Sequence, residues 1–267
     1  MPGIAPSTSS RRRPRDDPPG RPPSGGRVTP AEPPAAAPWT GPAGYAAAKL
    51  AGALTTIAGG RLIGRTGTGY WGELAITPGR RRLRSPLLDQ EGVYQVAIRC
   101  SRAFGVPDPF PDVLGLAIKI LDAYGTGHHQ DLLLCSSGSG PLTRQAPLPA
   151  TSFLGRHYSS LTPYLLGGRP VLFGARTAPS PVRDGGTALA EFDVAASNGA
   201  LSFDIQTASP IGRWGTAGIV RVGQVMADDE AERLRFNPWN TGPALLPVGL
   251  ADALRRPVYQ ASQNRRP

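Results

Sequence analysis

Alternation of apolar and polar positions, rather than a helical stripe, dominates the middle of the chain. Over 93–100, Val93, Gln95, Ala97 and Arg99 alternate with Tyr94, Val96, Ile98 and Cys100, the period-two signature of a strand. The same alternation runs from Tyr70 through Glu73 to Thr77, at the end of a Gly-rich extended run that starts at Arg61. Residues 113–121 are apolar, rich in β-branched side chains and bounded by turn residues, which predicts a buried strand, and 131–135 predicts another. Strand-like runs recur over 170–176, 189–195, 201–207 and 219–226, with Gly- or Pro-containing turns between them. This spacing predicts a chain that is mainly β with short helices, folded as an antiparallel barrel or sandwich. Helix-compatible stretches lie at 45–58, ended by Gly59 and Gly60, and at 250–263 around Pro257.

Composition divides the chain. Residues 1–42 hold 12 of the 30 prolines and almost no large apolar residue before Trp39. Such a segment cannot offset its own ordering entropy and is expected to be a disordered Pro/Arg-rich tail, leaving 43–267 as the folded domain. The chain is 40% hydrophobic, enough for a sizeable core, and its 34 glycines with 30 prolines favour turns over long helices. Net charge is +10. The tail carries six arginines and three acids, so most of the excess lies elsewhere, spread along the sequence. A cationic soluble surface is the expected consequence, and a nucleic-acid partner is not favoured. The densest basic run, Arg80 to Arg84, follows the Pro78–Gly79 turn and is expected on a surface loop.

Cys100 and Cys135 are the two cysteines. They make no disulfide framework and are expected as buried free thiols in a reducing, cytoplasmic setting. No stretch has the ~18–20 strongly apolar residues of a membrane helix. Arg11 to Arg13 is followed by prolines, Asp16 and Asp17 instead of the apolar core of a secretion signal. No membrane association is expected, and a homo-oligomer is compatible with the sequence.

Motifs that commonly announce chemistry are sparse. Gly67-Thr-Gly69-Tyr-Trp-Gly72 matches G-x-G-x-x-G, but a dinucleotide site needs that pattern to open a helix, and a strand-like run follows it. His128 and His129 lie in a Gly-rich turn near Asp131, and His157 is expected at the surface; three histidines are few for a metal hydrolase. No G-x-S-x-G serine, triad or P-loop is present.

Three segments nevertheless resemble, in order, the haem catalases. Arg61-Leu-Ile-Gly64-Arg-Thr-Gly67-Thr-Gly69-Tyr-Trp71-Gly72 is similar to the family's Arg-Val-Val-His-Ala-Arg/Lys-Gly-x-Gly-Ala-Phe-Gly without a gap. Arg99-Cys-Ser101, then Gly115-Leu-Ala117-Ile-Lys119, then Asp131-Leu132 resemble its Arg-Phe-Ser, Gly-Phe-Ala-Val-Lys and Asp-Leu elements. Phe236-Asn-Pro-Trp239, Leu246-Pro-Val-Gly249 and Arg256-Pro257-Val-Tyr259 resemble its Phe-Asn-Pro-Phe, Ile-Pro-Val-Gly and Arg-Asn-Pro-x-x-Tyr. The likeness spans roughly 55–263 and is weak over 140–215.

The resemblance implies a catalase-like antiparallel β-barrel with a pocket for a small molecule. It implies that Arg61 and Arg99 would pair with haem propionates and that Ser101 would sit beside the distal histidine. The residues alone leave Arg61 and Arg99 open as structural partners of acids such as Asp131. Gly64 stands where the family's distal histidine belongs, and Cys135 where its distal asparagine does. Tyr259 matches a packing tyrosine, and the eight residues after it include no Tyr, His or Cys. The expectation is a degenerate catalase-like protein with little or no peroxide dismutation, whose haem, if bound through Arg61, Arg99, Ser101 and Cys135, has no assigned iron ligand. The alternatives are a haem peroxidase with altered ligation, a phosphodiesterase-like hydrolase and an arginine-driven binding protein.

Overall fold

The computed structural model describes residues 67–79, 82–105, 107–178, 187–199, 201–242 and 244–248. Arg61, Gly64, the 1–42 tail, the expected helix at 45–58 and the segment holding Arg256 and Tyr259 lie outside the described residues.

Among the described residues ten strands form one sheet: β1 (Gly67–Ile76), β2 (Gly92–Arg102), β3 (Leu114–Ile120), β4 (Gln130–Ser137), β5 (His157–Ser159), β6 (Tyr164–Leu166), β7 (Arg169–Thr177), β8 (Ser202–Ala208), β9 (Gly215–Val225) and β10 (Leu245–Pro247). Every pairing is antiparallel. Strands β1 to β5 and β7 to β9 close on themselves through β7–β8 and β9–β1 into an eight-stranded barrel, and β6 and β10 extend the sheet from β7. Closure removes the exposed strand edges that an open sheet would present. The expected mainly β, antiparallel barrel is the observed fold.

The predicted alternation sets which face is inside. Leu74, Ile98, Leu116, Ile118, Phe203 and Val220 point to a common interior and are almost fully buried. Each such side chain contributes about 1.5–3 kcal/mol through burial. The barrel bends where β1 meets β9. The register shifts between Tyr70 and Gly72, and a Cβ on Gly72 would lie 2.5 Å from the Arg221 carbonyl oxygen. Only glycine lets those backbones approach so closely.

One element differs from expectation. Residues 189–195 do not form a strand; they lie in helix α1 (Ala188–Ser197). Thr187 caps it, its hydroxyl accepting from the Ala190 N–H at 3.1 Å. Ala188, Phe192 and Ala196, four residues apart, form its buried stripe. Phe192 packs against Tyr70 with ring centroids 4.9 Å apart, and the Tyr70 hydroxyl donates to the Asp193 carboxylate, which fastens the helix to the barrel. A second helix, α2 (Asp228–Arg233), follows β9. It rests on Gly69, where a Cβ would lie 2.8 Å from that of Ala231. Among the described residues no helix is long and apolar enough to cross a membrane.

Candidate functional site on the outer face of the barrel

Directly paired residues on neighbouring antiparallel strands share a face. Gly67 pairs with Ser101, Ser101 with Gly115, Gly115 with Cys135, and Cys135 with Ser159. The row therefore crosses β1 to β5 on the face opposite the core. Arg99 stands one step along β2 on the same face, between Gly69 and Ala117. The structure thus brings Arg99, Ser101 and Cys135 together on one outer face.

This face is buried all the same: Arg99 is 5% exposed and Ser101 1%. The glycines make room for them. A Cβ on Gly115 would lie 2.7 Å from the Ser101 hydroxyl oxygen, and one on Gly67 would lie 3.2 Å from Arg99 Nε and 2.4 Å from the Cys100 carbonyl oxygen. Gly67 and Gly115 are thus positioning residues that the sequence analysis matched only as motif letters. The Ser101 hydroxyl has no hydrogen-bond partner among the described residues. A buried hydroxyl without a partner is costly, so it marks a place suited to a further polar group.

The charges beside this row are committed to holding the chain, Arg102 from the opposite face of β2 and Lys119 with Asp131 on the same face as the row. Arg102 donates to the Asp108 carboxylate at 2.6 Å and to the Phe110 carbonyl at 2.7 Å, closing the β2–β3 loop. Lys119 pairs with Asp131 at 2.6 Å, and the other Asp131 oxygen accepts from the Asn237 N–H at 2.8 Å. Lys119 also lies over the Phe236 ring, 5.4 Å from its centroid. Three of the motif fragments therefore meet as a clip that ties the segment after α2 to β3 and β4. Burial raises the Asp131 carboxyl above its ordinary value, although Lys119 and the Asn237 N–H oppose the shift.

Neither cysteine forms a disulfide. Cys100 faces the core, where burial pushes its thiol well up, while Cys135 is half-buried rather than fully buried. His157 is not a surface residue. It is half-buried on β5, its ring 4.6 Å from that of Trp214 and its Nε2 3.3 Å from the Gln206 side-chain oxygen. Burial lowers it to about 4, with Arg144 and Arg176 adding to the effect. The Gly67 to Gly72 pattern lies within β1 and opens no helix, which excludes the dinucleotide loop geometry. Among the described residues, no group of three or more His, Cys, Asp or Glu is placed to hold a metal ion.

Haem is the group the motifs imply, and these residues allow a test of its fit. A guanidinium such as Arg99 suits a carboxylate arm, and the Ser101 hydroxyl suits a polar neighbour. Tyrosinate ligation finds no counterpart in the row. Tyr70, Tyr158 and Tyr164 belong to the core, where burial raises the phenols of Tyr70 and Tyr158. Among the described residues, Arg99 and Ser101 suit the carboxylate arms of a haem, and no tyrosine stands in the row to hold its iron.

No protein-family model and no curated protein matches the sequence. The fold does match solved structures. Catalase A from Saccharomyces cerevisiae is 14% identical with a TM-score of 0.60, covering 77% of this chain and 61% of that one. A bacterial catalase is 15% identical with a TM-score of 0.54, covering 77% and 57%, and a fungal catalase 13% identical with a TM-score of 0.56, covering 77% and 59%. The barrel is a catalase-like fold, highly divergent in sequence, and the chain spans about three-fifths of the length of the catalases it matches.

Proposed function

We propose that this chain uses the catalase fold without catalase chemistry and does not dismutate hydrogen peroxide efficiently. The observation that carries this reading is the composition of the outer row. The row offers hydroxyls at Ser101 and Ser159 and a thiol at Cys135, and neither an imidazole nor an amide; the His157 imidazole, one step further along β5 on the same face, is packed on Trp214 with its Nε2 against the Gln206 side-chain oxygen. Dismutation needs a positioned base to move a proton from one peroxide oxygen to the other as the O–O bond breaks. Loss of such a group costs about 10²–10⁴ in rate. Gly64, in register with the distal histidine of catalases, has no side chain to serve, and a cysteine at the amide position removes an N–H donor.

The test is oxygen release from peroxide by the full chain after incubation with haemin. The expected result is a rate no greater than that of free haemin. Release well above that rate, abolished by Ser101→Ala, would overturn the reading.

A second reading, haem held without dismutation, is supported by the Ser101 hydroxyl beside the buried Arg99. It expects a Soret band on titration with haemin that weakens in Ser101→Ala. A spectrum identical to that of free haemin sinks it.

A further inference from the structure

The end of the barrel opposite Ser101 carries a different feature. The β1–β2 connection, the β6–β7 turn and the β8–β9 connection surround a cavity of about 780 Å³. Leu88, Leu166 and Val171 give it an apolar floor, and Thr207 and Thr216 add hydroxyls. Arg82, Arg84, Arg169 and Arg213 stand around it, and no Asp or Glu is among its described lining residues. Two of these arginines belong to the basic run noted in the sequence. The other two come from turns about 90 and 130 residues further on, so only folding gathers the four.

None of the four arginines forms an ion pair among the described residues. Arg82 spends one N–H on the Asp89 carbonyl. The Asp89 carboxylate makes no ion pair with them; its oxygens accept the Leu83 N–H at 2.7 Å and the Ser85 N–H at 3.2 Å. It shapes the loop instead. Arg84 is held at φ 61°, a left-handed backbone that a β-carbon disfavours. The loop is braced there by the β6–β7 turn, where a Cβ on Gly167 would lie 2.6 Å from that of Arg84. Backbone held against its preference is a cost that recurs where a side chain must be presented to a ligand.

Four like charges around one mouth repel one another, and an anion relieves that repulsion. Guanidinium forks match phosphate oxygens in geometry as well as charge. The volume falls within the roughly 300–1,000 Å³ of sites for small molecules. We propose that this mouth binds a small organic phosphate, with the charged head on the arginines and an apolar body on the leucine and valine floor. The site requires no haem and stands apart from the outer row.

Calorimetric titration of the full chain with 1-naphthyl phosphate tests the proposal, with 1-naphthol and inorganic phosphate as partial ligands. The whole probe should bind at least about 10-fold tighter than either part, and binding should weaken as salt is raised. Arg84→Gln/Arg169→Gln/Arg213→Gln should weaken it at least about 10-fold. Arg156→Gln/Arg221→Gln/Arg233→Gln, which removes the same charge from exposed positions away from the cavity, should change it less than about 3-fold. Circular dichroism checks that both variants fold, and Arg169→Gln alone supplies a milder variant expected to lose part of the affinity. Equal losses in both triple variants, or no binding of the probe, would overturn the proposal. So would tighter binding of a DNA duplex with the same loss in both variants, since that is the behaviour of a diffuse basic surface.

Discussion

Two charged regions of this barrel handle charge in opposite ways. Along β2 to β4, charges are buried and spent: Arg102 on Asp108 and the Phe110 carbonyl, Lys119 on Asp131. At the mouth, Arg82, Arg84, Arg169 and Arg213 are exposed and meet no acid among the described residues. A buried charge must be paired for the chain to fold, whereas an exposed one need not be. The first region is therefore read as mainly structural, with Ser101 as its exception. The second carries a charge excess that the fold does not require.

The largest effect that would sharpen this contrast is expected at Asp131. Asp131→Ala leaves Lys119 without its partner and releases the Asn237 backbone. Denaturant unfolding should show a loss of about 3–5 kcal/mol. Arg169→Gln at the mouth should change stability by less than about 0.5 kcal/mol in the same measurement. A comparable loss at both positions would break the comparison.

A smaller effect probes the exception. Gly115→Ala should cost about 1–3 kcal/mol, because the new methyl meets the Ser101 hydroxyl. Ser101→Ala should cost little, since that hydroxyl has no partner among the described residues. The double variant should recover part of the Gly115→Ala loss, a coupling that a double-mutant cycle measures directly. Strict additivity would mean that the glycine does not serve to seat the serine.

The smallest effect concerns His157, half-buried between the two extremes. Its ordinary value is 6.5 and burial lowers it to about 4 in the folded chain. Between those values the unfolded chain binds the extra proton, so stability falls as pH drops from about 6.5 towards 4 and is fully present above that window. After discounting for partial exposure, the loss should be about 1 kcal/mol. Stability curves over that range should be flatter for His157→Gln than for the parent; equal slopes would remove His157 from the account.

Long, strongly alternating strands were legible. The expected 93–100 lies within β2, 113–121 brackets β3, and 219–226 overlaps the second half of β9. Three-residue strands such as β5, β6 and β10 are too short for alternation to mark. Residues 189–195 were misread because Leu189, Ala190, Phe192, Val194 and Ala195 form a short apolar run that suits either structure. The Thr187 cap and the four-residue spacing of Ala188, Phe192 and Ala196 decide it for the helix. At the candidate site, Arg99, Ser101 and Cys135 could be named from motifs, but their burial could not. Their faces follow from alternation, whereas the glycines set against them, Gly67 and Gly115, are chosen by the pairing of strands.

By itself the sequence determined the long strands and the side of each that is apolar, because alternation is a local property of a pleated chain. It also determined that arginine exceeds acid. Tertiary structure alone decided the register that sets Gly115 against Ser101, the clip of Lys119, Asp131 and Asn237, and the closure that gathers four arginines at one mouth. Those contacts depend on pairings between remote segments, which barrel closure fixes and local pattern does not contain.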